Sequence, residues 1–173
     1  MKIGILTYHL SENYGAVLQA YALKTFLISK GYDVEFVNYV HLAHREMYSL
    51  YSKKQLKKRS FIGKIKYNIS FILKLSRLYK RKRRFKKFMN NHLLSVPKQN
   101  NSEYDIVFYG SDQIWRKQNV IGIDDFNEVY FGSDLIKSKR KVSYAASMGI
   151  LHNSEKDRAK LEMLLKNFYA ISV

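Results

Sequence analysis

Apolar and polar positions along the first forty residues change period twice. Lys2 to Tyr8 is a short apolar run rich in β-formers and predicts a buried strand. Residues 9 to 14 are polar, with Ser11, Glu12 and Asn13 as turn and cap types. From Gly15 to Lys30 the spacing turns helical, with Ala16, Ala20, Leu23 and Leu27 on one face and Gly31 as a C-cap signal. Asp33 to Tyr39 predicts a second strand. Strand, helix and strand in so few residues form a βαβ unit, hence a parallel sheet.

Further strands are predicted at Tyr104 to Tyr109 and Lys141 to Ser147. Ser154 is a cap type, with Glu155 and Asp157 suited to the positive end of a helix running to about Phe168. Tyr169 to Val173 reads as the start of a central strand, which suggests a fragment of a longer chain. Between about 45 and 97 lies a helical excursion. Phe61 to Tyr79 is amphipathic, with Phe61, Ile65, Ile69, Ile72 and Tyr79 on one side and Lys66, Ser70, Lys74 and Arg77 on the other. Lys80 to Lys87 continues the helix towards His92, and Pro97 closes the region. The fold class is therefore α/β, a Rossmann-like, mostly parallel sheet with flanking helices in one domain spanning 1–173.

Charge sharpens this picture. The 173 residues carry 31 Lys and Arg against 14 Asp and Glu. Residues 53–98 hold 17 of those cations and no acid, so the remainder is neutral. A neutral fold with one basic insert indicates a local electrostatic feature rather than a general nucleic-acid binder. RRM, KH and zinc signatures are absent, which makes nucleic acid an unfavoured partner. With no Cys, disulfides, thiolate metal sites and cysteine nucleophiles are excluded. No run of eighteen apolar residues exists, and the N-terminal apolar run is too short for a signal peptide. The chain is expected to be cytoplasmic. His9, His41, His44, His92 and His152 show no metal spacing, so no metal or cofactor is expected.

Ligands of open α/β sheets bind beyond the carboxyl ends of strands. Three polar clusters occupy such places. The first is His9 with Asn13, Tyr14 and Gly15; on spacing alone a plain strand-to-helix turn explains it better than an anion site does. Gly110-Ser111-Asp112-Gln113-Ile114-Trp115 is the second. Asp112 suits proton transfer or hydroxyl positioning, and Trp115 suits either a sugar face or the core. In the third, Ser143 to Gly149, small residues favour tight packing.

Taken in order, these clusters resemble the polysaccharide pyruvyl transferase family. The resemblance rests on Asn13-Tyr14-Gly15-Ala16-Val17-Leu18-Gln19-Ala20-Tyr21-Ala22-Leu23, Gly110 to Trp115, and Ser143 to Gly149. It implies the N-terminal domain of a two-domain, GT-B-like architecture, with the C-terminal domain absent from this chain. It implies transfer of a pyruvyl group from phosphoenolpyruvate to sugar hydroxyls, giving a ketal in cell-surface or exopolysaccharide biosynthesis. Asp112 is then the expected catalytic residue. His9, Asn13, Tyr14, Gly15, Gln19, Gly110, Ser111, Gln113 and Trp115 are the expected substrate contacts. The glycan acceptor is expected to be lipid-linked in some cases, with peripheral membrane contact through the basic segment at the inner face. A GT-B-type glycosyltransferase using a nucleotide sugar, a basic nucleic-acid module and an inactive remnant remain as alternatives.

Overall fold

A computed structural model describes residues 1–39, 60–93, 103–120, 123–149 and 154–172. Five parallel strands make one sheet: β1 (Lys2–Leu6), β2 (Asp33–Phe36), β3 (Tyr104–Gly110), β6 (Ser138–Tyr144) and β7 (Ala170–Ser172), in the order β2-β1-β3-β6-β7. Between β3 and β6 a small antiparallel hairpin intervenes, β4 (Gln118–Val120) with β5 (Ile123–Asp125). A 3-10 turn, Glu128–Phe131, follows it. The sequence reading contained neither. All five strands that the sequence predicts lie in the one sheet, within a few residues of the expected limits.

Alternation along the strands sorts side chains between two layers. Ile3, Ile5 and Phe108 face α1 (Tyr14–Ser29), where Leu27 and Val34 complete the packing. Leu6, Val107 and Tyr109 face the other way, into a larger core with Trp115, Phe131 and Leu161 and Leu164 of α3 (Glu155–Leu165). Asn13 caps α1, its side chain accepting from the backbone N–H of Gly15 at 2.9 Å and of Ala16 at 3.4 Å. Gly31, at φ +81, ends it, as the sequence indicates. Ser154 caps α3 by accepting from the N–H of Asp157 at 3.2 Å.

Two expectations are corrected. Ala170–Ser172 is not a central strand but lies at the end of the sheet, exposed at all three residues. The second concerns the basic helix, α2 (Phe61–Phe88), which continues into a π turn at Met89–Leu93. The sequence predicts a solvated helical region and leaves open the alternative that the apolar side from Phe61 to Tyr79 packs on the sheet, with only the Lys80 to Lys87 run free; that alternative fails. Instead Phe61, Ile65, Ile69, Ile72 and Tyr79 are exposed, and the only fully buried residue of α2 is Phe85, inside the basic run. Phe85 packs with Val17, Ala20 and Leu93 against α1. Lys24 of α1, itself buried, donates to the Leu93 carbonyl at 2.8 Å and ties the end of the excursion down. Arg81 donates to the Glu12 carbonyl at 3.0 Å, and Lys82 pairs with the Glu12 carboxylate at 3.8 Å. His41, His44, Pro97 and His152 fall outside the described residues.

Candidate active site at the β1/β3 switch point

From β1 the chain moves outward to β2 on one side, while β3, β6 and β7 extend on the other. The direction of winding therefore reverses between β1 and β3. Loops leaving these two neighbours diverge there and open a crevice beyond their carboxyl ends. The first two predicted clusters follow these two neighbouring strands.

The β3 wall is tightly specified. Gly110 has φ +131, and a Cβ there would fall on the Tyr144 carbonyl oxygen. The next residue, Ser111, is a non-glycine in the left-handed region at φ +58, a conformation that costs about 1–2 kcal/mol and gathers at functional sites. Its Oγ is buried without a partner among the described residues. This turn is laced to the loop after β6 by backbone bonds. The N–H of Ser111 donates to Tyr144 at 2.7 Å, that of Ser147 to Asp112 at 3.0 Å, and that of Trp115 to Ser147 at 3.1 Å. The second and third clusters are thus one physical unit, which explains the need for small residues at Ala145 and Ala146.

Asp112 projects from this unit, half-buried. Its Oδ1 accepts from the N–H of Gln113 at 2.7 Å. Burial raises its carboxyl above the ordinary carboxylate range, and that hydrogen bond only partly opposes the rise. Tyr8, at the exit of β1, is the residue that joins the walls. Its hydroxyl donates to the Gln113 carbonyl at 3.4 Å and accepts from Gln118 Nε2 at 2.7 Å. Burial pushes its phenol far up, with the Asp112 charge adding to the rise and Arg116 opposing it. Tyr8 therefore stays protonated, and both Asp112 and Arg116 lie within electrostatic reach of its hydroxyl. The ring rests edge-on against Tyr130, centroids 5.3 Å apart, and Tyr39 meets Tyr130 likewise at 5.5 Å.

The sequence reading chose His9 and passed over Tyr8 and Arg116. Both residues lie beyond β1, which ends at Leu6, and the chain there turns their side chains to different sides. His9 turns towards α1, 2% exposed, stacked on Phe36 at 4.6 Å. Its Nδ1 lies 3.0 Å from the Thr7 carbonyl, which can only accept, so Nδ1 carries the proton. Trp115 is also in the core, 3% exposed, stacked on Phe131 and edge-on to Phe168. Its Nε1–H donates to the Tyr130 carbonyl at 3.0 Å. A sugar does not reach that ring; its work is to anchor the turn that presents Asp112. On the α1 wall, Asn13, Tyr14, Gly15 and Gln19 are all exposed. Asn13 is engaged as the helix cap, and the Tyr14 ring leans on Phe85 at 4.5 Å.

The sequence model of the polysaccharide pyruvyl transferase family matches residues 13–173, nearly the whole chain. The chain belongs to that family. It is thus a pyruvyl transferase family member, a transferase, and the family's acceptor is a polysaccharide. The matched span begins at the Asn13 cap and includes both laced loops. No curated protein and no solved structure gives a significant match to this family member. Among the described residues, no group of three or more His, Asp or Glu is placed to hold a metal ion.

Proposed function

We propose that this family member acts on the acceptor side of a ketal-forming pyruvyl transfer, with phosphoenolpyruvate as donor. In this reading a sugar hydroxyl adds to C2 of the donor as C3 takes up a proton. The phosphate then leaves with its bridging oxygen, and a neighbouring hydroxyl adds to the same C2 and loses its proton. The products are a cyclic ketal and inorganic phosphate.

The observation that supports this most is the half-buried Asp112 on a strained, doubly anchored turn at the switch point. A carboxylate whose proton affinity is raised by burial is a stronger base than one in water, which suits removal of the hydroxyl proton. Tyr8, held neutral, positions Gln113 and the turn rather than exchanging protons. The exposed Asn13, Tyr14, Gly15 and Gln19 serve as contacts for sugar hydroxyls on the α1 wall, while the buried Ser111 supports the turn from beneath. Arg116 contributes positive potential beside Asp112. The remaining cations needed for the donor's carboxylate and phosphate fall, in the GT-B-like arrangement that we propose, to a second domain. The reading puts the reaction in the cytoplasm, on an exopolysaccharide or cell-surface glycan, lipid-linked or free.

The test incubates the protein, together with the second domain that this reading requires, with phosphoenolpyruvate labelled with carbon-13 at C3 and with surface glycan stripped of pyruvate by mild acid. A ketal methyl resonance and an equal amount of phosphate are expected. Asp112→Asn lowers kcat by about 10²–10⁴-fold with the KM for phosphoenolpyruvate little changed. Wild-type turnover in Asp112→Asn removes the role given to Asp112. Consumption of a nucleotide sugar in place of phosphoenolpyruvate overturns the donor.

A further inference from the structure

The face of α2 turned away from the sheet is unusual for a water-soluble surface. Ile62, Ile65, Ile69, Ile72, Leu73 and Tyr79 are 45–77% exposed. At 100° per residue they fall within an arc of about 120° and extend for about 26 Å along the axis. On nearly the opposite side lie Tyr67, Phe71 and Leu78, half-buried, and Phe85, buried. The helix is thus apolar on two sides, and only one is turned inward. Lys64 and Lys82 border the outer stripe on one flank, and Lys66, Arg77 and Arg84 on the other. All five are exposed. Across its 28 residues the helix carries eleven Lys and Arg and no acid.

We propose that this face of α2 docks on an anionic lipid surface, lying in the plane of the interface. Charge chooses among the occupants. A second copy of the chain would set one acid-free cationic helix against another, which is repulsive. A nucleic acid would use the cations and leave a row of isoleucines in water. Only an anionic bilayer takes both parts, with isoleucines entering the acyl boundary while the flanking lysines and arginines reach the headgroups. No helix among the described residues is long and apolar enough to cross a membrane, so the contact is peripheral. Phe85 and Lys24 fix α2 and its π turn to α1, and Arg81 ties it to Glu12 in the loop that opens α1. Docking therefore sets how the β1 wall of the crevice faces the membrane. The proposal does not depend on the transferase reading.

The test is flotation of the whole chain with vesicles of phosphatidylcholine alone and of phosphatidylcholine with phosphatidylglycerol in equal parts. Binding is expected to the anionic vesicles, about tenfold or more stronger than to the neutral ones, and weakened by added salt. The variant Ile65→Gln/Ile69→Gln/Ile72→Gln leaves every charge in place. It is expected to keep the wild-type circular dichroism and thermal midpoint while losing at least about tenfold in vesicle affinity. Four results overturn the proposal. Equal flotation on both vesicles is one. Undiminished vesicle binding by the triple variant is another, since it reduces the effect to a bare polycation. A concentration-dependent dimer abolished by the triple variant assigns the stripe to a second copy. A drop of several degrees in the variant's midpoint assigns it to packing within the chain.

Discussion

Replacing Phe85 by alanine isolates the attachment of α2 from the stability of the sheet. Phe85 is the only residue of the helix buried among the described residues, 4% exposed, in a cluster with Val17, Ala20 and Leu93. Truncating a buried phenylalanine costs about 3–5 kcal/mol through lost transfer energy and the cavity left behind. The Tyr14 ring at 4.5 Å and the Arg81 guanidinium over the Phe85 face at 5.8 Å lose their partner too, but their share lies inside that range. The Lys24 bond to Leu93 and the half-buried Phe88 remain to hold the segment. The loss falls on α2 and its π turn, because Phe85 touches α1 and not the strands of the larger core. Hydrogen exchange followed by mass spectrometry reads this directly. Amides of 61–93 are expected to exchange about 10²- to 4 × 10³-fold faster, which is 3–5 kcal/mol at about 1.4 kcal/mol per decade. Amides of β1, β3 and β6 are expected to keep their rates. Equal acceleration in helix and sheet would show that they open as one unit and would refute the reasoning.

Other outcomes follow from the turn after β3. Gly110→Ala meets both a forbidden φ and the Tyr144 carbonyl, so the soluble yield and the thermal midpoint are expected to fall, with a loss of more than about 2 kcal/mol by urea titration. Ser111→Gly relieves a left-handed φ of +58 and removes an unpartnered buried hydroxyl. It is expected to stabilise by about 1 kcal/mol in urea titration, and a loss of stability would contradict the strain assigned to that turn. Trp115→Phe strands the Tyr130 carbonyl inside the core and is expected to cost about 1–3 kcal/mol in denaturant titration. Burial raises the Asp112 carboxyl, so the base form is lost as pH falls through a value above the ordinary carboxylate one. The acidic limb of kcat is expected there, absent in Asp112→Asn; an unshifted limb would count against Asp112 as the base. The same burial lowers fold stability as pH rises through that window, because the folded state then binds more protons than the unfolded one.

Much of the fold was legible because parallel strands and capped helices write themselves locally. Asn13, Gly31 and Ser154 mark helix ends by their own chemistry, and Ile3, Ile5, Val107 and Tyr109 carry the apolar runs of buried strands. The hairpin at β4 and β5 was not legible, since two three-residue strands offer too short a pattern to stand out from a loop. The orientation of α2 escaped for a different reason. A helix with two apolar sides gives periodicity no means of choosing which is inward, and Phe85 was hidden among cations. In the site, Asp112 was visible as an acid directly after a strand. Tyr8 was not, because Tyr8 and His9 both lie past the end of β1, where no strand period says which side each side chain meets.

The lacing of the turn after β3 to the loop after β6 bears on how such a site is transplanted or diversified. All three bonds run between backbone atoms, so they fix the path of the chain and leave many side chains open to exchange. A graft of residues 110–115 alone into another scaffold arrives without the carbonyls of Tyr144 and Ser147, and its left-handed serine has nothing to hold it. A library that randomises Gln113 must also reckon with Gly149, where a Cβ would come within 2.9 Å of the Gln113 amide. The inheritable cassette is therefore a pair of loops separated by about thirty residues of chain, and a recombination point placed between them breaks it.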